Sequence, residues 1–269
     1  SGTLNISGSN TVVGSGTVTV SSGGNLQVQG GISVANAVTI NGTGTTQNGA
    51  IENTAGSNTL SGGVTLGSAS RINSNAGTLA LAGNITLGAN TLTVGGAGTT
   101  TQSGVIGGTG DLTKDGAGTL VLNGANTYTG ATTISGGTLQ LGANERIANN
   151  SAVTIASGAT FDVNGKTETI GSLAGGGAVL LGSGALTAGG DNTSTIFSGT
   201  LGGSGAFTKV GSGTFEIASN VGFGGTMNMN AGTLQFDVDN AFAGTINFSG
   251  GTLRLWGATP PKLRPLAVG

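Results

Sequence analysis

The sequence contains no cysteine and no histidine among its 269 residues. Without cysteine there can be no disulfides or thiolate metal sites, and without histidine no Ser-His-Asp triad or histidine-based metal centre. Only 7% of the residues are charged and 4% aromatic, whereas about a quarter of the residues of a typical globular protein are charged. We therefore expect no metal, no cofactor and no catalytic residue in this chain.

Long apolar runs and concentrated charge are also missing. No run of about 18 apolar residues is present, so we expect no membrane-spanning helix. The eight basic residues are scattered and the net charge is −2, which disfavours nucleic acid as a partner. The 57 glycines disfavour α-helix, and residues 143–148 form the one segment that favours a helical turn. Disorder is not expected, because 36% of the residues are hydrophobic.

Short triplets of alternating apolar and polar residues fill the chain, as in Val18–Val20 and Val38–Ile40. This alternation indicates short strands with one buried face, and glycine, asparagine and serine around the triplets indicate tight turns. The steps between triplets alternate between short and long, and each pair sums to about 20 residues, a period typical of a β-solenoid. We therefore predict an all-β parallel β-helix over residues 1–256 with coils of about 19–22 residues, followed by a proline-containing C-terminal tail, 257–269.

A period of 19 places whole triplets on one another, so that the triplet 215–217 falls on 234–236 and then on 253–255. This register predicts an outward column of Glu216, Gln235 and Arg254 between two interior columns. A longer repeat of 95 residues relates Gly108–Lys114 to Gly203–Lys209, and 95 is five times 19. The interior columns are Phe215, Leu234 and Leu253, and Ile217, Phe236 and Leu255.

Residues 108–142 resemble the autotransporter-associated β-strand repeat. The matching pieces are Leu-Thr-Lys, Gly-Thr-Leu, Asn-Thr-Tyr-Thr-Gly and Gly-Gly-Thr-Leu, and the passenger-like style continues to about Ile217. The resemblance implies a right-handed β-helix that is secreted or displayed on a bacterial surface. It implies no shared catalytic residues, since the repeat is architectural.

Carboxylate chemistry is the remaining route to an enzyme, because a glycosidase needs two acidic side chains about 5–10 Å apart. Asp237 and Asp239 share one strand face and form the best candidate pair, although two solvated strand residues are the simpler interpretation. Glu216 comes close to Asp237 in the repeat, but the 19-residue register places Glu216 over Gln235 instead. Tyr128 is interpreted as a turn-packing residue rather than an exposed sugar platform.

The tail and the open ends of the β-helix are the predicted contact surfaces. Unpaired coil edges template association, and proline cannot continue a strand ladder. We therefore predict homo-association through the open ends and the tail, with matrix or host-surface polysaccharide as a further possible partner. The candidate ligand or assembly residues are Trp256, Pro260, Pro261, Lys262, Arg264 and Pro265.

These observations favour an extracellular structural or adhesive β-solenoid module, displayed on a bacterial surface or assembled end to end into a fibre. Two alternatives remain open. One is a polysaccharide-binding module without turnover, and the other is a β-helix enzyme that degrades polysaccharide. Glycan binding without turnover would favour the first, and turnover that depends on acidic side chains would favour the second.

Overall fold

The computed structural model describes residues 2–8, 14–219, 221–237 and 242–255. These residues fall into two compact units, unit 1 (Ser1–Gln140) and unit 2 (Leu141–Gly269). The described residues form strands and turns, with one 3₁₀ turn at Thr45–Gln47 and no α-helix. Residues 143–148, the segment that favours a helical turn by composition, are not helical.

The strands are short because glycine, serine or asparagine interrupts each apolar triplet. They are β1 (Thr3–Ser7), β2 (Val18–Val20), β3 (Asn25–Gln29), β4 (Ser33–Val34), β5 (Val38–Gly42), β6 (Ile51–Ala55), β7 (Ser57–Leu60), β8 (Val64–Ser74), β9 (Thr78–Leu81), β10 (Ile85–Gly88), β11 (Leu92–Gly95), β12 (Thr99–Gln102), β13 (Ile106–Gly108), β14 (Leu112–Lys114), β15 (Thr119–Leu122), β16 (Thr132–Ile134), β17 (Thr138–Leu141), β18 (Ala152–Ile155), β19 (Thr160–Asp162), β20 (Thr167–Ile170), β21 (Ser172–Gly175), β22 (Ala178–Leu180), β23 (Ala185–Ala188), β24 (Thr195–Phe197), β25 (Thr200–Gly202), β26 (Ala206–Lys209), β27 (Thr214–Ile217), β28 (Thr226–Met229), β29 (Thr233–Phe236), β30 (Thr245–Phe248) and β31 (Thr252–Leu255).

Three parallel stacks build unit 1, and most coils contribute one strand to each stack. The first stack is β2, β5, β8, β10 and β13. The second is β1, β3, β6, β8, β11, β14 and β16, so that the long strand β8 serves both stacks. The third is β4, β7, β9, β12 and β15. The predicted β-solenoid is therefore confirmed.

Unit 2 has the same construction. Its first stack is β20, β23, β26, β28 and β30. Its second is β18, β21, β24, β27, β29 and β31, and its third is β19, β22 and β25. Phe197 and Phe207 both pack on Phe215 in the interior, with ring centroids 6.2 and 5.0 Å apart. These three rings stack on one another within a core that is otherwise mostly aliphatic.

The 19-residue register holds in the last described strands, where β27, β29 and β31 pair as predicted and Glu216 lies over Gln235. The interior columns are buried down to Leu234 and Phe236, whereas Leu255 is 46% exposed. No described strand lies beyond β31 to cover it. The interior prediction is therefore wrong for Leu255, because a solenoid buries a coil only when another coil stacks on it.

The coil length varies more than the sequence suggested. Thr167 pairs with Ala185 across one of the shortest coils, whereas Ser33 pairs with Thr59 across a much longer one. The extra residues of the long coil form the turn around Thr45–Gln47 between β5 and β6. Strand pairing fixes each coil where strands meet, so insertions collect in the turns.

Glycines occupy the same corner position in successive coils, because the backbones of those coils approach each other too closely there for a side chain. A Cβ on Gly104 would lie 2.2 Å from the carbonyl oxygen of Gly83, and one on Gly124 would lie 2.0 Å from that of Gly104. Neither residue has a positive φ. At these two positions glycine is therefore required for space rather than for a positive φ.

Candidate functional site

A column of threonines lies on the outward side of the first stack of unit 1. Thr19, Thr39, Thr65 and Thr86 are in register on β2, β5, β8 and β10. Three of them are exposed and Thr39 is half-buried. Side chains alternate across a strand, so the apolar neighbours of each threonine point inward and leave the hydroxyls outside.

The strands that carry this threonine column have no charged residues near it. Thr127 donates its backbone N–H to the carbonyl oxygen of Ile106, 2.9 Å away, and so follows Gly107 in the stack. No acidic or basic residue occurs in β2, β5, β10 or β13, nor in the first half of β8. From Thr19 to Thr86 the face therefore presents hydroxyl groups about 4.8 Å apart on an uncharged surface, with a gap at Gly107 before Thr127. Such a face suits neutral hydrogen-bonding partners better than ionic ones.

A second outward column lies on the second stack of unit 1, and hydrogen bonds join its first three members. We call Asn5, Gln27, Glu52 and Asn73 the polar ladder, since they occupy successive register positions. The Asn5 amide donates to Gln27 Oε1 at 3.1 Å, and the Gln27 amide donates to Glu52 Oε2 at 2.8 Å. Most outward side chains are solvated, but Glu52 is only 4% exposed.

An ion pair continues this column beyond the polar ladder. The Arg71 guanidinium donates to Asn73 Oδ1 at 2.9 Å and to both carboxylate oxygens of Asp115 at 2.6 and 2.7 Å. It passes over Gly95, where a Cβ would lie 2.3 Å from Arg71 Nη2. A missing side chain on one coil thus lets Arg71 bind a partner on the coil beyond it.

The first stack of unit 2 carries a comparable uncharged column. It consists of hydroxyl and amide side chains on β20, β23, β26, β28 and β30, in register. The Asn247 amide donates to Asn228 Oδ1 at 3.0 Å, and the Asn228 amide donates to Thr208 Oγ1 at 3.3 Å. The members are Thr169, Thr187, Thr208, Asn228 and Asn247.

Of the acidic side chains named as a possible catalytic pair, only Asp237 is described; Asp239 lies outside the described residues. Gln235 Nε2 donates to Asp237 Oδ1 at 2.7 Å and to Glu216 Oε2 at 3.4 Å, so this amide bridges two acids on adjacent coils. Partial burial and the neighbouring Asp237 carboxylate raise the pKa of Glu216. The sequence placed Glu216 over Gln235 and missed that Asp237 remains within reach of the same amide.

The remaining predicted ligand or assembly residues lie outside the described residues, so the predictions about them stay predictions. They are Trp256, Pro260, Pro261, Lys262, Arg264 and Pro265.

Two buried lysines mark equivalent positions of the 95-residue repeat. Lys114 is 1% exposed, and its Nζ donates to the carbonyl oxygens of Asp115, Gly116 and Gly136 at 2.5, 3.0 and 3.2 Å. Lys209 is 2% exposed and donates to those of Val210 and Gly211 at 2.5 and 3.0 Å. Burial lowers the pKa of Lys114 to about 8 and lowers that of Lys209 as well. Both lysines therefore hold corners together and do not form an exposed basic site.

Glu168 performs a similar task in unit 2 with the opposite charge. Its carboxylate is fully buried and accepts the backbone N–H groups of Arg146 and Ile147 at 2.7 and 2.9 Å. Glu145, the preceding turn residue, has a φ of 52°. Burial raises the pKa of Glu168 to about 7, in spite of the two hydrogen bonds that favour its ionised form. This carboxyl group, rather than a helix, orders residues 145–147.

Tyr128 is also fully buried, with its hydroxyl 2.6 Å from Thr132 Oγ1, as expected of a turn-packing residue.

The raised pKa of Glu168 predicts a pH-dependent stability. Between pH 4.5 and about 7 the unfolded chain ionises Glu168 while the folded chain keeps it protonated, so the free energy of unfolding falls as the pH rises. We expect a contribution of about 3 kcal/mol to be present at pH 4.5 and lost at pH 7.5. Urea unfolding of wild type and Glu168→Gln at both pH values isolates it, because the variant lacks this titration. Equal pH dependence in the two proteins would contradict the assignment.

Neither metal-binding clusters of acids nor membrane-spanning helices are found in residues 2–8, 14–219, 221–237 and 242–255. No three acidic side chains there lie close enough together to hold a metal ion. In the same ranges no helix is long and apolar enough to cross a membrane.

Comparison with known proteins identifies the repeat. Residues 112–141, 207–236 and 230–255 match the passenger-associated-transport-repeat family. In an alignment of 125 positions that covers 44% of this chain, the sequence is 38% identical to the adhesin BmaC autotransporter of Brucella suis biovar 1 (strain 1330). The chain spans 4% of the length of that relative. No solved structure matches. These findings confirm the predicted autotransporter passenger-type repeats and the predicted location, secreted to the surface of a bacterial cell.

Proposed function

Because the chain carries passenger repeats on a β-solenoid, we propose that it is a non-catalytic adhesive module of a bacterial surface protein. The observation that carries this proposal is the threonine column, an exposed row of hydroxyl groups on a face without charge. Repeated weak hydrogen bonds along a regular row suit a repetitive partner such as a polysaccharide, because each repeat adds to the avidity. The relative from Brucella suis is named an adhesin, which supports the same function.

Removing hydroxyls from the threonine column should weaken adhesion. In the triple variant Thr39→Val/Thr65→Val/Thr86→Val, three hydrogen-bonding groups are lost while β-branched shape is kept. We expect beads carrying this variant to bind matrix polysaccharide at least about tenfold more weakly than wild type, since each hydrogen bond is worth about 1 kcal/mol. Binding to a panel of neutral and acidic polysaccharides is measured by bead retention.

The matched control removes three hydroxyls from successive coils of the third stack, in Thr78→Val/Thr99→Val/Thr119→Val. It should bind like wild type. Equal weakening of both variants would remove the threonine column from the proposal, and a wild-type chain that binds no polysaccharide on the panel would refute adhesion to this class of partner.

A second candidate function is polysaccharide degradation, favoured by one observation. Gln235 holds Glu216 and Asp237 on adjacent coils, and the raised pKa of Glu216 is a property of general acids. Turnover of any glycan on the panel that is lost in Asp237→Asn would support an enzyme in place of the adhesive module. Binding without turnover supports the adhesive module.

We further propose that copies associate end to end, which would build a fibre. Leu4 on β1 and Phe248 on β30 are 46% and 45% exposed, and exposed apolar strands template pairing with another chain. Light scattering and electron microscopy of wild type and of a chain lacking residues 257–269 test the proposal. Filaments lost on deletion would support a role of the tail in the junction, filaments kept would leave the coil edges as the contact, and a monomer at high concentration would refute the fibre.

A further inference from the structure

Four asparagines in this chain are followed directly by glycine, and such a pair can lose the asparagine amide without an enzyme. They are Asn41, Asn48, Asn123 and Asn164. In this reaction the backbone nitrogen of the glycine attacks the asparagine Cγ, because glycine has no Cβ to shield that nitrogen. The fold decides which pair reacts, since both the side-chain amide and the glycine nitrogen have to be free to move.

Hydrogen bonds hold two of the four pairs at both reacting groups. The Asn41 amide donates to the carbonyl oxygen of Val20 at 3.1 Å, and the glycine that follows donates its N–H to Ser68 Oγ at 3.1 Å. The Asn164 amide donates to the carbonyl oxygen of Leu141 at 3.1 Å, and the next N–H donates to another backbone carbonyl at the same distance. At these pairs two hydrogen bonds have to break before the reacting atoms can meet.

The Asn123 pair is held least. Its side chain is exposed and forms no hydrogen bond with any residue that the structure describes. The N–H groups of Asn123 and Gly124 share the carbonyl oxygen of Gln102, at 2.8 and 3.3 Å. Asn48 is exposed as well, but the glycine N–H that follows it donates to the carbonyl oxygen of Thr43 at 2.8 Å. A bond of 3.3 Å to a shared acceptor is weak, so the Gly124 nitrogen is the easiest of the four to release.

The corner at Asn123 does not need an asparagine. In three preceding coils the same position is occupied by Ser61, Ala82 and Ser103, each followed by glycine, and both N–H groups again point to one carbonyl oxygen. Consecutive N–H groups of an extended strand point to opposite sides, so the backbone leaves strand geometry at this peptide. Serine and alanine form the corner equally well, and asparagine adds only its reactive amide.

We propose that Asn123 is a site of spontaneous deamidation, with water as the only other reactant. The Gly124 nitrogen forms a bond to Asn123 Cγ, and the side-chain nitrogen leaves as ammonia with the proton of the Gly124 N–H. The product of this step is a succinimide ring. Water then opens the ring at one of its two carbonyl carbons and returns a proton to the Gly124 nitrogen. Opening at Cγ gives aspartate, and opening at the main-chain carbonyl carbon gives isoaspartate.

Both products change the corner. Each brings a carboxylate to the third stack of unit 1, whose strands β4, β7, β9, β12 and β15 carry no charged residue. Isoaspartate also adds one carbon to the main chain between Asn123 and Gly124. The corner has no room for it, since even a Cβ on Gly124 would lie 2.0 Å from the carbonyl oxygen of Gly104. We therefore expect the pairing at this corner to break and the chain to lose stability as it ages.

The experiment ages the folded full chain in a mildly alkaline buffer and follows each Asn-Gly pair by peptide mass spectrometry. Chromatography separates aspartate from isoaspartate products, and the same chain unfolded in urea gives the conversion rates without structure. We expect Asn123 to be the first of the four to convert in the folded chain. Relative to the unfolded rates, Asn41 and Asn164 should be slowed at least about tenfold more than Asn123, because two hydrogen bonds must break first at each.

Asn123→Ser is the matched control, because serine occupies this corner in other coils. The urea midpoint of wild type should fall on ageing, and that of Asn123→Ser should not; an unchanged midpoint after conversion would refute the loss of stability. Two results would overturn the site: another pair that converts before Asn123, or an Asn123 amide that persists in the folded chain while the unfolded chain converts. If Asn123→Ser does not fold, the mass spectra of wild type decide alone. No binding partner takes part, so the result is independent of the adhesive function.

Discussion

Replacing Gly62 with alanine should lower the free energy of unfolding by about 4 kcal/mol. A Cβ at this position would lie 1.9 Å from the carbonyl oxygen of Asn36 and 2.3 Å from its carbonyl carbon, both backbone atoms of the preceding coil. Backbone atoms in a stacked coil cannot move aside without breaking the pairing of β5 with β8. Urea unfolding followed by circular dichroism measures the loss as a lower midpoint.

The adjacent residue is the matched control for Gly62. A Cβ on Gly63 would have one neighbour, the Asn84 carbonyl oxygen at 3.4 Å, an ordinary contact distance. Gly63→Ala should therefore unfold within about 0.5 kcal/mol of wild type. Similar losses in both variants would mean that flexibility rather than close approach explains the corner glycines.

Replacing either buried lysine with methionine should cost about 4 kcal/mol. Methionine fills similar space but offers no donor, so the corner carbonyl groups that Lys114 or Lys209 now binds would stay buried and unpaired. Three N–H donors on Lys114 meet three carbonyl oxygens, so no other single side chain would satisfy the corner equally well. The unfolding midpoints of Lys114→Met and Lys209→Met in urea measure the cost.

Lys166→Met provides the comparison, because Lys166 is half-buried. It should change the free energy of unfolding by less than about 0.5 kcal/mol. Buried-lysine variants as stable as Lys166→Met would show that water can replace the ammonium group at the corners.

The sequence predicted the columns because strand alternation and a regular period leave few registers in which apolar residues meet. Phe215 over Leu234 and Glu216 over Gln235 follow from spacing alone. The longer coil was not predictable in the same way. The steps from Leu26 to Ile51 and from Val38 to Val64 both exceed the regular period, because they contain a turn whose length no strand pattern fixes.

The contacts of the buried polar side chains were missed for a related reason. Glu52 and Asn25 look like ordinary polar residues until a 27-residue offset brings them together, and that offset depends on the long coil. Lys114 was visible in the repeat, but a lysine is normally predicted outside, and only the inward register of Val94, Lys114 and Ile134 shows its burial. The sequence therefore predicts which residues share a column. It does not predict the contacts that a side chain makes with the turns of its own or another coil.

The Arg71–Asp115 contact has a mechanical consequence. Coils that touch only their neighbours can peel away one after another under a pulling force. Arg71 and Asp115 are 44 residues apart and lie on either side of the coil that contains Gly95. That middle coil cannot detach while the ion pair holds, so three coils should yield as one step. Under the proposed adhesive function, a chain pulled by its partner would resist in larger, fewer ruptures here than in a stretch of plain stacked coils.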